Sequence, residues 1–204
     1  PEITAMQTRA ILGAACQLKK EGFNPCPEIM VPLIGTVQEL KQQKSIILET
    51  SKEVFAEYGI EVKFEIGTMI EIPRAALTAG KIAEEAEYFS FGTNDLTQTT
   101  LAISRDDADR FLPLYVDKEF FERHPFISIH PAVEKMVRTF VADARAIDPK
   151  FEIFICGEHG GDVYTIGRLH EIGLTGVSMS PGKVYRSIIK AAQCQVQNPR
   201  KSVK

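Results

Sequence analysis

A chain of 204 residues with 44% hydrophobic content can build one sizeable core and is marginal for two. Its formal net charge of -3 leaves no dominant basic face, which argues against a nucleic-acid binder. No apolar run reaches the length of a membrane span, and no signal-peptide pattern is present.

Pro1-Glu2 suits a first helical turn, because proline fits N1 and an acid there favours the helix dipole. Ile3, Met6, Ala10, Ile11, Ala14 and Leu18 recur at helical spacing up to Lys19, Lys20 and Gly22. The first residue is Pro1, so we expect a processed chain or a piece of a longer one. Glu28 to Gly35 reads as a short buried strand. Thr36 is the expected N-cap of a long amphipathic helix ending by Gly59. Phe64 to Glu71 is the next strand, and Pro73 opens a helix through Ala86.

Tyr88-Phe89-Ser90-Phe91 is an aromatic-rich run that stops at Gly92 and is followed by Thr93, Asn94 and Asp95. It reads as a buried strand opening into a loop. The stretch from Thr97 to Ile129 shows little regularity. Val133, Met136, Val137, Phe140, Val141 and Ala144 give the clearest helix, closed by Asp148-Pro149. Phe151 to Ile155 is a strand that runs into Cys156-Gly157-Glu158-His159-Gly160-Gly161. A short helix through Ile166 and Leu169, a strand from Gly176 to Met179 and a helix from Val184 to Val196 complete the order.

Alternating strands and helices imply a parallel α/β sheet with helices packed outside it. About five strands fall short of a complete eight-fold barrel, which needs roughly 250 residues. We therefore expect residues 1–197 to form the C-terminal part of a (β/α)8 TIM-type barrel. A small doubly wound open sheet is the alternative. The tail 198–204, with Arg200, Lys201 and Lys204, is expected to fray.

Active groups of α/β folds gather at the carboxyl ends of parallel strands. Three strand ends here carry reactive groups: Glu71, Asn94-Asp95 and Cys156. Glu71 and Asp95 are 24 positions apart, about one strand–helix–strand unit, so they project from neighbouring strands on one rim. Two such carboxylates can share a hard cation of the Mg2+ type. Equally, Glu71 can cap or pair locally with Arg74, and Asp95 can N-cap the segment after it. Cys156 can be an inert buried thiol. It can also be a reactive one, because glycines allow close approach of a ligand and Glu158 and His159 place titratable groups beside it. One Cys and one His do not make a zinc site. Cys16, Cys26, Cys156 and Cys194 lack metal-ligand spacing and read as free thiols in a reducing compartment, the cytoplasm or an organelle. His124, His130 and His170 read as surface or loop residues.

Three ordered motifs closely resemble the C-terminal pyruvate/phosphoenolpyruvate-binding barrel of the pyruvate phosphate dikinase family. They are Gly67-Thr68-Met69-Ile70-Glu71-Ile72-Pro73-Arg74, Phe89-Ser90-Phe91-Gly92-Thr93-Asn94-Asp95-Leu96-Thr97-Gln98 and Cys156-Gly157-Glu158-His159-Gly160-Gly161. Pro27 to Leu33 and Ser104-Arg105-Asp106-Asp107 add to the match. The resemblance implies that Glu71 and Asp95 bind Mg2+. It implies that Glu71, Gly92, Thr93, Asn94 and Asp95 surround the substrate, and that Cys156 exchanges the proton at its methyl or methylene carbon. In that family ATP, pyruvate and phosphate interconvert with AMP, phosphoenolpyruvate and diphosphate. A phosphohistidine domain of the same parent chain carries the phosphoryl group, and an ATP-grasp domain charges it. Neither domain lies in these residues.

Ile127 to Pro131 and Gly182 to Tyr185 depart from the family pattern, outside the three motifs. Rival readings are phosphoenolpyruvate synthase, the sugar phosphotransferase system's enzyme I, or a non-catalytic dimerisation or regulatory domain. Glu71, Asp95 and Cys156 together speak against the last. The two arginines that grip the phosphoryl group in the family have no counterpart here. We therefore expect the chain alone to be inactive, and to dimerise through unpaired strand edges.

Overall fold

The computed structural model describes residues 1–200. Five parallel strands form one sheet in the order β1-β2-β3-β4-β5. These are β1 (Glu28–Val31), β2 (Glu65–Ile70), β3 (Tyr88–Gly92), β4 (Glu152–Cys156) and β5 (Gly176–Val177). The helices are α1 (Glu2–Lys20), α2 (Val37–Tyr58), α3 (Pro73–Leu77), α4 (Ala79–Ala83), α5 (Thr93–Leu101), α6 (Arg105–Ala108), α7 (Leu112–Asp117), α8 (Pro131–Ile147), α9 (Val163–Ile172) and α10 (Val184–Gln197).

Each strand pairs with the next in sequence, so the chain winds in one direction only. A doubly wound sheet reverses direction at a switch point, and this one does not. The partial TIM-type barrel is the architecture. The core agrees with single-sided winding. Ile29, Val31, Ile66, Ile70, Phe89, Phe91, Ile153 and Ile155 occupy alternate positions on their strands and belong to one cluster with the helices. The intervening residues, among them Gly67, Ser90 and Phe154, lie on the other face, which is the barrel interior.

Local chemistry explains the best-formed helices. Thr36 and Glu39 make a reciprocal capping box on α2, and Gly59 ends it in the left-handed conformation. On α8, Val133, Val137, Phe140, Val141 and Ala144 are buried along one stripe. Phe140 packs edge-to-face on Phe89 and Phe91, with ring centroids 4.8 and 5.1 Å apart. Burial of each such side chain contributes about 1.5–3 kcal/mol. All five residues of β3 are buried, so this strand is the centre of the sheet.

Three expectations change. The helix expected from Pro73 is two short ones, α3 and α4, because Thr78 leaves helical geometry and its hydroxyl turns back to Arg74 O. The stretch from Thr97 to Ile129 holds helices α5, α6 and α7, with a small core of its own around Ala108, Leu112 and Phe126. His170 is buried, not on the surface, and its Nε2 pairs with Asn198 O at 2.8 Å. Within the tail, Arg200 is hydrogen-bonded to Gln195 and to Leu174 O. Residues 201–204 lie outside the described residues. No helix among the described residues is long and apolar enough to cross a membrane.

Candidate active site

The strand register brings three sequence-predicted residues into one row at the carboxyl end of the sheet. Gly92 pairs with Cys156 across β3 and β4. Ile70 pairs with Phe91, so Glu71, one residue on, comes level with Gly92. A methyl group on Gly92 would stand 2.6 Å from Glu71 Oε2 and 2.7 Å from Glu71 Cβ. The row reads Glu71, Gly92, Cys156, all on the interior face. Gly92 is required here because any side chain would displace the carboxylate.

Glu71 is buried at 5% exposure. Its Oε1 accepts the Leu33 backbone N–H at 2.7 Å. The local pairing with Arg74 that the sequence allowed is not formed among the described residues. Leu33 has φ 55, an uncommon conformation for a leucine, and this turn past β1 aims its N–H at the carboxylate. Burial raises the Glu71 pKa above the ordinary carboxylate value, the Leu33 bond opposes this, and the Asp95 charge raises it further. Glu71 and Asp95 therefore feel each other across the rim.

Asp95 is not in a loop. Helix α5 starts at Thr93, directly after β3, and Asp95 is the acid in its first turn, where a negative charge suits the helix dipole. It is not the N-cap; that position is Gly92. Thr, Asn and Asp are weak helix formers, which is why the sequence read as loop. Thr93 itself is fully buried and Asp95 exposed.

Cys156 is half-buried, and its Sγ lies 3.5 Å from Phe91 O. Burial pushes its thiol pKa up, the Ser90 hydroxyl opposes, and the Glu71 and Asp95 charges push it up again. The thiol is thus protonated at neutral pH. Its electrostatic partners are those two carboxylates. Glu158 instead turns to Lys183, with Oε2 accepting from Nζ at 2.7 Å.

His159 is fully buried. Its Nδ1 meets Thr93 Oγ1 at 2.7 Å and its Nε2 meets Pro125 O at 2.8 Å. Thr93 Oγ1 also lies 3.0 Å from Cys156 O. Burial lowers the His159 pKa, so the ring is neutral and Nε2–H serves Pro125 O. Nδ1 then accepts a hydrogen bond from the Thr93 hydroxyl, with Cys156 O as the competing acceptor. Leu33 is a contributor that the sequence did not reveal, and His159, which the sequence set beside the thiol, serves Thr93 and Pro125 instead. The glycines after Cys156 permit the tight turn there: Gly157 has φ +100, and a methyl group on Gly160 would strike Ser178 O. Asn94 Oδ1 accepts Glu158 N–H at 3.4 Å and joins the β3 and β4 termini.

Two carboxylates, one anchored and buried and one exposed, suit a hard cation that keeps positions for water or substrate oxygens. Among the described residues no group of three or more His, Cys, Asp or Glu gathers to hold a metal, so those oxygens would complete the shell.

Comparison with known proteins adds the family. The profile described as PEP-utilising enzyme, PEP-binding domain, matches residues 1–196. The chain is 49% identical over 197 residues to pyruvate, phosphate dikinase 1, chloroplastic, of Arabidopsis thaliana, covering 96% of this chain and 20% of that protein. It is 48% identical over 200 residues to pyruvate, phosphate dikinase of Clostridium symbiosum, covering 97% and 23%. The chain thus spans about a fifth of the length of these relatives. A citrate lyase structure from Burkholderia xenovorans LB400 superposes with a TM-score of 0.55 at 18% identity, over 80% of this chain and 48% of that one; this likeness concerns the fold alone.

Proposed function

The chain belongs to the PEP-binding domain family of PEP-utilising enzymes, and from that premise we propose that it is the pyruvate/phosphoenolpyruvate-binding segment of a pyruvate phosphate dikinase. The reaction is the interconversion of ATP, pyruvate and phosphate with AMP, phosphoenolpyruvate and diphosphate. The observation that carries the reading is the row Glu71, Gly92, Cys156, with Asp95 on the same rim. In this reading Glu71 and Asp95 hold Mg2+, which supplies positive charge to an oxygen of the substrate. Gly92, Thr93, Asn94 and Asp95 line the place of its carboxylate and enolate oxygens.

Cys156 holds a proton at Sγ, and its raised pKa suits a donor to the methylene carbon when phosphoenolpyruvate becomes pyruvate. In the reverse direction the thiolate accepts a methyl proton. Leu33 N–H and the bare backbone of Gly92 fix the Glu71 carboxylate, and Thr93 with His159 ties the end of β4 to the start of α5. The phosphoryl group arrives on a phosphohistidine domain of the same parent chain. This segment alone therefore does not turn over. The parent is a homodimer of a reducing compartment, cytoplasm or plastid.

The test uses the parent enzyme. Cys156→Ala should abolish exchange of pyruvate methyl protons with solvent, read by NMR, while the histidine domain is still phosphorylated from ATP. Exchange at the unsubstituted rate would refute the role of Cys156.

A further inference from the structure

Opposite the candidate active site, at the amino end of the sheet, two arginines share one cavity. It has a volume of ≈ 530 Å³ and is lined by Arg145, Lys150, Glu152, Thr175, Gln195 and Arg200, among others. Glu152 opens β4 and Cys156 closes it, so the cavity and the rim are roughly 13 Å apart along one strand. A methyl group placed on Gly173 would meet Arg145 Nη1 at 2.9 Å and Arg200 Nη1 at 3.9 Å. The two guanidinium groups thus converge on the same glycine, which has φ +90.

Like charges brought together raise the free energy of the fold unless something repays it. Among the described residues neither arginine makes an ion pair with a carboxylate. Arg200 donates to Leu174 O at 2.9 Å. Arg145 Nε is buried and has no hydrogen-bond partner. Burial and then the Arg200 charge lower the pKa of Arg145. The helix dipole accounts for one cation in the last turn of α8, but not for a second guanidinium from beyond α10 aimed at the same point. Glu152 is the one carboxylate among the cavity residues, set against Arg145, Lys150 and Arg200.

We propose that this cavity is an anion site, separate from the candidate active site, that takes a phosphate-type oxyanion between Arg145 and Arg200. Two guanidinium forks supply charge-assisted, paired hydrogen bonds of the geometry that phosphate oxygens accept. Lys150 adds charge, and Thr175 and Gln195 add neutral polar groups. The ligand bridges the end of α8, the turn before β5 and the end of α10, and so fastens the C-terminal helix to the sheet.

The experiment titrates inorganic phosphate into the full 204-residue chain at constant ionic strength set with chloride. The readouts are arginine Nε–H and Gly173 amide signals by 15N NMR, and the melting temperature. Saturable shifts at Gly173 and Arg145 and a rising melting temperature are expected, unchanged in Glu71→Gln. Arg145→Gln and Arg200→Gln should each weaken phosphate roughly tenfold or more, the loss expected for a charged hydrogen bond. Lys150→Gln provides a further arm should either arginine variant fail to fold. Glycerol phosphate in place of phosphate tells a phosphomonoester ligand from the free ion. A linear response, a response matched by chloride alone, or affinity unchanged in the arginine variants would overturn the proposal.

Discussion

The Glu71 carboxylate lies directly over Gly92, where a methyl group would come within 2.6 Å of Glu71 Oε2 and 2.8 Å of Met69 Sδ. Gly92→Ala therefore forces an interior repacking at the centre of the sheet. Overpacking of this kind costs about 1–3 kcal/mol, which lowers the melting temperature by about 2–12 °C in a chain of this size. The variant should also lose any stabilisation by Mg2+, because Glu71 is displaced. Melting curves with and without Mg2+ test both; an unshifted curve would show that the glycine is not needed there.

Glu71→Gln keeps an oxygen for the Leu33 N–H and removes a buried charge. The Glu71 pKa is raised in the fold, so its stability contribution is complete below the ordinary carboxylate value and is lost as pH rises through the higher folded value. At neutral pH without metal the Gln variant should thus melt above the parent chain, and at acid pH the two should coincide. With Mg2+ the order at neutral pH should reverse, since the repulsion from Asp95 is what a cation relieves. A variant that melts lower at neutral pH in the absence of metal would contradict this account.

Cys156 should resist alkylation at neutral pH because its thiol is held protonated by burial and by Glu71 and Asp95. Iodoacetamide should modify the exposed Cys26 first, with Cys156 following only well into the alkaline range. Asp95→Asn or Glu71→Gln should speed the reaction at Cys156 and leave Cys26 unaffected. Peptide mass spectrometry over time reads all four cysteines; equal rates at Cys156 in parent chain and variants would remove the carboxylates as its partners.

His159→Gln leaves Thr93 or Pro125 O without its partner in a buried place, which costs about 1–3 kcal/mol for each unsatisfied group. The His159 pKa is depressed in the fold. Its contribution is thus present above the ordinary histidine value of 6.5 and is lost as pH falls below it. The parent chain should lose stability on mild acidification, and the variant should start lower and show a flatter profile. Denaturant midpoints at a series of pH values decide this.

Free edges at β1 and β5 and exposed apolar residues on α10, with Tyr185 79% and Ile188 64% exposed, should make the isolated chain self-associate. Sedimentation velocity over a concentration series should show a shift towards larger species. A monomer at every concentration, with measurable dikinase turnover, would refute both the association and the expected inactivity.

The alternation of strands and helices, the strand ends at Glu71, Gly92 and Cys156, and the long amphipathic stripe of α8 are all legible in the residues alone. Those features are written in periodicity, capping residues and glycine placement, which act over a few residues. Strand order in the fold separates the barrel from the doubly wound sheet, because winding direction is set by which strands pair. The fold also turned the supposed loop at Asn94-Asp95 into the first turn of α5, where packing against α8 outweighs the weak helix preference of Thr, Asn and Asp. It gave Cys156 its partners as well. Glu158 and His159 follow the thiol in sequence but diverge to Lys183 and Thr93, while Glu71 reaches it from the end of β2 and Asp95 from the first turn of α5. Sequence proximity fixes which residues are neighbours along the chain, whereas the strand register fixes which charges share a rim.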